Sequence, residues 1–126
     1  MGTRDAAVAT RVAFEVNVSA EFAQRPGELE RFAQTSLSRR VPVPVVQQQA
    51  MACMAHATTD RLDSLTVPAL VVHGDEDQMI LPGEGARLAE LIPDTALQIW
   101  PGIGHLFWWE RPTETADLVR RHALDA

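Results

Sequence analysis

The chain has 126 residues, 46% of them hydrophobic and 22% charged, and a formal net charge of −6. This composition excludes an intrinsically disordered chain, and the length is enough for one hydrophobic core. All 11 basic residues are Arg and are scattered among 17 acidic residues, so no basic stripe indicates a nucleic-acid partner or an anionic membrane surface.

The first 60 residues are expected to form helices, preceded by one short strand. Alternating apolar residues from Val12 to Ser19 predict the strand. Pro26 and an apolar face with 3–4 spacing predict a helix over residues 26–38. A second helix is predicted over residues 44–57, with Met51, Cys53 and Met54 filling the core.

The second part of the chain predicts a βαβ unit followed by a helix. Pro68–His73 is a continuous apolar run, as expected for a strand buried on both faces of a parallel sheet. A helix over residues 83–92 leads to a second strand, Thr95–Trp100. Pro112 starts the final helix, whose predicted buried stripe contains Val119.

Polar residues follow both predicted strands at the point where each strand ends. Asp77 comes shortly after the first strand, and His105 lies in the Gly-rich loop after the second. Because the carboxyl ends of neighbouring parallel strands share one edge of a sheet, we expect these two side chains to meet. A carboxylate bound to an imidazole Nδ1–H would orient a general base.

Three motifs between residues 50 and 123 resemble the C-terminal part of the α/β-hydrolase superfamily. Val67–Asp77 is similar to the family's penultimate core strand and its G-x-x-D turn. Leu88–Pro93 resembles the helix that leads into the last strand, and Pro101–Pro112 resembles the loop that carries the histidine. Residues 20–57 resemble, more loosely, the helical cap of these enzymes.

The resemblance implies an α/β fold, the C-terminal βαβα part of an α/β-hydrolase with parallel strands, preceded by cap-like helices. The predicted division is a cap or lid-like helical segment, residues 1–60, and a βαβα core segment, residues 61–126. The family pattern implies Asp77 as the triad acid and His105 as the triad base. Packing in the core is the default expectation for Phe107 and Trp108, and their place directly after His105 makes them the candidates for lining a substrate pocket. The implied substrate is a small ester, lactone or related carbonyl compound.

The sequence departs from the family pattern at the nucleophile. It contains no G-x-S-x-G, and its serines, Ser19, Ser36, Ser38 and Ser64, lack the flanking glycines of a nucleophile elbow. We therefore expect the chain to be inactive alone and to act as a homo-oligomer or with a complementary chain that supplies an N-terminal half. Less favoured is a replacement nucleophile at Cys53 or Ser36.

A second hypothesis is a non-catalytic interaction module that binds a partner through an apolar sheet edge and Trp108–Trp109. No cofactor is expected, and His73, Asp75 and Asp77 are not expected to bind a metal, because alternate residues of a strand point in different directions. Asp75 and Glu76 are expected to be solvated, and His73 to be structural. With neither a signal peptide nor a membrane span in its sequence, the chain is expected to be cytoplasmic.

Overall fold

The computed structural model describes residues 2–38 and 41–125. The chain begins with four α-helices: α1 (Gly2–Glu15), α2 (Ala20–Ala23), α3 (Glu28–Ser38) and α4 (Val43–Ala55). A 3₁₀ helix, Thr59–Ser64, leads to the strand β1 (Ala69–Gly74), the helix α5 (Pro82–Leu91) and the strand β2 (Thr95–Trp100). The helices α6 (Phe107–Glu110) and α7 (Pro112–Asp125) follow.

The strands β1 and β2 form a parallel two-stranded sheet, in register from Ala69 opposite Thr95 to Gly74 opposite Trp100. Helix α5 connects them and packs against both. Parallel strands require a crossover of this kind, so the carboxyl ends of β1 and β2 lie at the same edge. The predicted βαβ unit and final helix are therefore confirmed to within one or two residues.

Prolines and a serine cap set several of the helix starts. Helices α5 and α7 begin at Pro82 and Pro112, where the missing proline N–H costs no helical hydrogen bond. Ser19 caps α2 by accepting the N–H of Phe22 through its Oγ. Between α2 and α3, Gly27 adopts a φ of +83°, a conformation that suits glycine.

The central hydrophobic cluster lies between the N-terminal helices and α6. Phe14, Val18 and Phe22 are fully buried there and pack against Leu106 and Trp109, among other apolar side chains. Residues from both predicted segments of the chain thus share one core.

The predicted strand Val12–Ser19 is wrong, because α1 continues to Glu15 and a turn follows. Phe14 and Val18 are four residues apart and enter the core, whereas Val12 is exposed. Phe14 lies at the end of α1 and Val18 in the turn that follows, so the helix end and this turn, not a strand, bring both side chains into the core.

Several residues predicted to be buried are exposed. Cys53 is exposed on α4, where Met51 and Met54 are 69% and 88% exposed, and Val119 of α7 is also exposed. The first strand is only half-buried over Ala69–Val72. Apolar periodicity indicates a face that could be covered, but in the described residues no second layer covers these faces.

Candidate active site

The turn after β1 brings three consecutive acidic residues to the carboxyl edge of the sheet. The backbone N–H of Asp75 donates to Trp100 O at 3.0 Å, and that of Glu76 donates to Ile103 O at 2.9 Å. Gly74 lies so close to the backbone of Ile103 and Gly104 that a side-chain Cβ would overlap it. The turn after β1 and the loop after β2 therefore pack directly against each other.

Asp77 contacts His105 across these two loops. Its Oδ2 accepts a hydrogen bond from His105 Nδ1 at 2.8 Å. Its Oδ1 accepts the backbone N–H groups of Met79 and Ile80 at 2.8 and 2.9 Å. Asp77 thus stabilises the turn and is also the hydrogen-bond partner of the histidine. The residue is buried, with a relative exposure of only 6%.

The environment of Asp77 favours its charged form. Burial by itself raises the pKa, but the hydrogen bonds from the N–H of Ile80, from His105 and from the N–H of Met79 lower it by more. The net result is a pKa below the ordinary value of 3.8. Asp77 is therefore a carboxylate over the whole neutral range and can accept a hydrogen bond from the Nδ1–H of His105.

His105 lies half-buried at the mouth of a cleft. Gly102, with a φ of +67°, makes the turn that leads from β2 into its loop. The imidazole stacks edge-on against Trp108, with ring centroids 6.3 Å apart. Among residues 2–38 and 41–125, no side chain or carbonyl hydrogen-bonds Nε2, so this nitrogen can accept a proton.

The cleft has a volume of about 250 Å³ and contains both members of the pair. Its apolar lining includes Ile80, Leu88, Phe107 and Trp108, all close to His105. The predicted pocket residues Phe107 and Trp108 are therefore in the same cleft as Asp77 and His105. Trp108 is 48% exposed, and its ring packs against that of Phe107 at 4.9 Å.

Trp109 points away from this cleft. Its indole Nε1–H donates to Glu28 Oε2 at 3.0 Å, and its ring packs edge-on against Phe32 in the central cluster. The Arg31 guanidinium stacks over the same ring at 4.2 Å. Trp108 and Trp109 therefore belong to different environments, although they are adjacent in sequence.

His73 also contacts the acid, which sequence reasoning missed. Its Nε2 is 2.8 Å from Ile80 O and 3.2 Å from Asp77 Oδ2. A carbonyl oxygen only accepts, so Nε2 carries a proton and donates it. These contacts connect His73 to the turn that holds Asp77, and the four-residue spacing of the two residues was the available signal.

The neighbouring acids have anchoring contacts that the prediction of solvated turn residues did not include. Asp75 Oδ1 accepts the N–H of Gly102 at 2.7 Å. Glu76 Oε2 accepts the N–H of Ala20 at 3.0 Å. Both side chains are exposed, as expected, yet they connect the acid turn to the histidine loop and to the start of α2.

A buried glutamate behind the histidine loop was also missed. Glu110 accepts hydrogen bonds from the N–H of Ser19, the Oγ–H of Ser19 and the N–H of Gly104. The available sequence signal was its place in the motif Pro101–Pro112, five residues after His105. Its position suggests a supporting function for the histidine loop.

Within the described part of the chain, no hydroxyl or thiol is hydrogen-bonded to His105. Ser19 is buried against Glu110, whereas Ser38 and Ser64 donate to carbonyl groups of their own helices. Cys53 and Ser36, the two candidate replacement nucleophiles, are exposed and make no such contact. The cleft therefore contains a hydrogen-bonded carboxylate–imidazole pair, and no hydroxyl or thiol of the described residues is bonded to it.

Within residues 2–38 and 41–125, no cluster of three or more His, Cys, Asp or Glu side chains has a geometry that could bind a metal ion. No helix in the described part of the chain has the length and apolar character needed to cross a membrane.

Sequence comparison detects a partial relationship to haloperoxidases. No protein-family model matches the chain. Over 48 residues it is 38% identical to a non-heme chloroperoxidase of Kitasatospora aureofaciens. This aligned stretch covers 37% of this chain and 18% of that protein. A non-heme haloperoxidase of Rhodococcus erythropolis is also 38% identical over 48 residues, with the same coverage of the two proteins.

Structural comparison covers nearly the whole chain. A structure described as a non-heme bromoperoxidase of Mycobacterium tuberculosis matches 94% of this chain with a TM-score of 0.82 and 18% identity. An esterase from Exiguobacterium antarcticum matches 95% with a TM-score of 0.77 and 22% identity. An N-acyl homoserine lactone degrading enzyme matches 92% with a TM-score of 0.68 and 30% identity.

The chain spans 44% to 47% of the length of these solved structures, which are α/β-hydrolases. The matching region contains the βαβα unit and the helices that precede it. The resemblance inferred from the three motifs is therefore confirmed, and the fold of this chain is the C-terminal part of the α/β-hydrolase fold.

Proposed function

We propose that this chain supplies the acid and the base of an α/β-hydrolase site that acts on a small ester, lactone or related carbonyl compound. The observation that carries the proposal is the 2.8 Å hydrogen bond between His105 Nδ1 and Asp77 Oδ2 beside an apolar cleft. Asp77 keeps the proton on Nδ1, which leaves Nε2 as the basic nitrogen.

In the proposed reaction, His105 Nε2 takes the proton of a hydroxyl nucleophile as that hydroxyl attacks the substrate carbonyl carbon. Asp77 stabilises the imidazolium that forms. His105 then gives the proton to the leaving group, and a water molecule repeats the sequence on the acyl intermediate. Phe107 and Trp108 contact the apolar part of the substrate.

The nucleophile comes from outside these 126 residues, because the sequence has no G-x-S-x-G and no described hydroxyl is bound to His105. A complementary segment or a separate chain would supply it together with the oxyanion-hole N–H groups. The isolated chain is therefore inactive in this proposal. Two structural neighbours, an esterase and an N-acyl homoserine lactone degrading enzyme, support the substrate class.

The first test is hydrolysis of an activated aryl ester by the purified chain beside His105→Ala. We expect equal rates, because a base without a nucleophile has no hydroxyl to activate. His56→Ala, at the exposed end of α4, is the matched histidine control. A rate that falls only in His105→Ala would show that the chain already holds a working nucleophile.

The second test uses the chain joined to its own upstream coding sequence, where that sequence encodes a G-x-S-x-G. We expect ester or lactone hydrolysis that falls about 10⁴-fold in Asp77→Asn, because the amide no longer fixes the required tautomer. The proposal fails if the joined protein is folded and hydrolyses neither ester nor lactone, or if Asp77→Asn leaves the rate unchanged.

A non-catalytic interaction module is the second candidate, and exposed apolar surface supports it. Trp108 and most of the apolar residues of α4 are exposed, whereas Trp109 packs against the central hydrophobic cluster. A single specific partner retained by the purified chain and lost in Trp108→Ala would favour this candidate. Partner binding unaffected by Trp108→Ala would count against it.

A further inference from the structure

The carboxylate of Glu110 is buried and is not part of the proposed chemistry. It is 7% exposed, and no Arg or His in the described residues forms an ion pair with it. Its charge is balanced by three hydrogen bonds: Ser19 N and Gly104 N donate to Oε1, both at 2.8 Å, and Ser19 Oγ donates to Oε2 at 2.6 Å. Charge-assisted bonds of this kind are stronger than neutral ones.

These bonds connect two segments that are distant in sequence. Gly104 immediately precedes His105, and Ser19 lies in the turn between α1 and α2. A Cβ at Gly104 would overlap the backbone of Val18 and Ser19, so the segments are in direct contact. On the other side of the histidine, Leu106 N donates to Asn17 O at 2.8 Å.

Hydrogen bonds therefore fix the backbone on both sides of His105. The backbone at position 104 is fixed through Glu110, and that at position 106 is fixed through Asn17. The ring of His105 reaches Asp77 at 2.8 Å only while its own backbone stays in place. A hydrogen-bonded pair in a cleft tolerates little displacement, because hydrogen bonds weaken steeply with poor distance or angle.

We propose that Glu110 is a positioning residue for His105, which clamps the histidine loop onto the Val18–Ser19 turn so that the imidazole stays on Asp77. The importance of His105 for chemistry rests on the proposed function. The positioning itself is a property of this chain and can be measured without any nucleophile.

The test reads the tautomer of His105 by long-range proton–nitrogen NMR at about pH 9, where an imidazole is neutral. In the unmodified chain the Nδ1–H form should dominate, since Asp77 Oδ2 accepts a hydrogen bond from Nδ1–H. In Glu110→Ala we expect the Nε2–H form, which is favoured in water, to become the major species. Glu110→Gln should keep the Nδ1–H form, because its amide oxygen can still accept both backbone N–H groups.

Phe22→Ala is the matched control for general loosening. Phe22 is buried in the cluster beside Ser19, and its side chain makes no hydrogen bond to Glu110. We expect this variant to be less stable and to keep the Nδ1–H form. If Phe22→Ala shifts the tautomer as far as Glu110→Ala, the inference is overturned and the effect is structural.

Ser19→Ala covers the case in which Glu110→Ala does not fold. It removes the bond from Oγ to Oε2 and the cap bond from the N–H of Phe22 to Oγ, but it keeps both backbone bonds to Oε1. A folded, less stable chain with a smaller shift towards the Nε2–H form is therefore expected. An unchanged tautomer in both folded variants overturns the inference, as does an unmodified chain that lacks the Nδ1–H form. Turnover does not enter these measurements, so the proposed hydrolase function can fail while the positioning inference stands.

Discussion

The side chain of Asp77 forms more polar contacts than any other side chain at the carboxyl edge of the sheet. Two backbone N–H groups bind Oδ1, and two imidazoles approach Oδ2. The residue thus stabilises its own turn and orients His105 at the same time. Because Met79 N, Ile80 N and His105 Nδ1 donate to Asp77, its ionised form contributes to the stability of the folded chain.

Asp77→Asn should therefore lower the free energy of unfolding near neutral pH by about 1.5–3 kcal/mol, the range for hydrogen bonds to a charged group. The folded pKa of Asp77 is depressed, so its contribution is present above the ordinary value of 3.8 and is lost as the pH falls through the folded pKa. We expect the difference in urea-unfolding free energy between the two proteins to shrink below pH 3.8.

Asp63→Asn, at an exposed position of the 3₁₀ helix, is the control for this measurement. Its unfolding free energy should stay close to that of the unmodified chain at every pH. A difference between Asp77→Asn and the unmodified chain that is independent of pH would contradict the expected linkage.

The sequence predicted the contact between Asp77 and His105, but it did not predict the residues that hold the histidine loop in place. Asp77 and His105 could be placed together because each follows a strand of a βαβ unit, and parallel topology brings those ends to one edge. Ser19 and Glu110 meet only through the packing of α1 and α2 against α6, which depends on a helix that the sequence pattern did not reveal.

At the scale of elements, the carboxyl edge works because two connections pack backbone against backbone. The turn after β1 and the loop after β2 exchange hydrogen bonds through Asp75, Glu76 and Gly102. Gly74 permits this approach, since its missing side chain leaves room for the carbonyl groups of Ile103 and Gly104. The requirement is for space and does not involve a positive φ.

Gly74→Ala should destabilise the chain, because the added Cβ would overlap backbone atoms that cannot rotate away. Overpacking of a tight site typically costs about 1–3 kcal/mol, and we expect a loss of this size in urea unfolding. Displacement of the Ile103–Gly104 backbone should also weaken the contact between Asp77 and His105.

Gly83→Ala is the matched control, because a Cβ at that position of α5 meets nothing within 4 Å. Alanine in a helix is more stable than glycine by about 0.5–1 kcal/mol, so this variant should unfold at a slightly higher urea concentration. Equal destabilisation by both substitutions would show that the close approach at Gly74 has no energetic importance.

The elements themselves were predictable to different degrees. The βαβ unit and α7 carry strong local signals in their apolar runs and their prolines, and the structure confirms them. Helix α1 was missed because alternating apolar residues near its end imitate a strand, and α6 is too short for a periodic signal. The burial of side chains was the least predictable property, because it depends on which helix and sheet faces pack against another element.

At the scale of the whole molecule, apolar surface is left without cover. Every residue of α4 from Val43 to Ala55 is exposed, and each strand of the sheet has one partner. A two-stranded sheet is rarely stable by itself, and exposed apolar patches mark association sites. These features support the proposal that the chain associates with a second copy or with a complementary chain.

Sedimentation velocity of the purified chain should show self-association that grows with concentration. Replacing Met51 and Met54 together by Glu should weaken it by at least about tenfold, because each buried Met contributes about 1.5–3 kcal/mol. Replacing Gln48 and Gln49 together by Glu adds the same charge to α4 on a side that does not contain Met51 and Met54, so it should leave association nearly unchanged. A chain that is monomeric at all concentrations would contradict the expectation, and equal weakening by both double variants would assign the effect to charge rather than to the apolar face of α4.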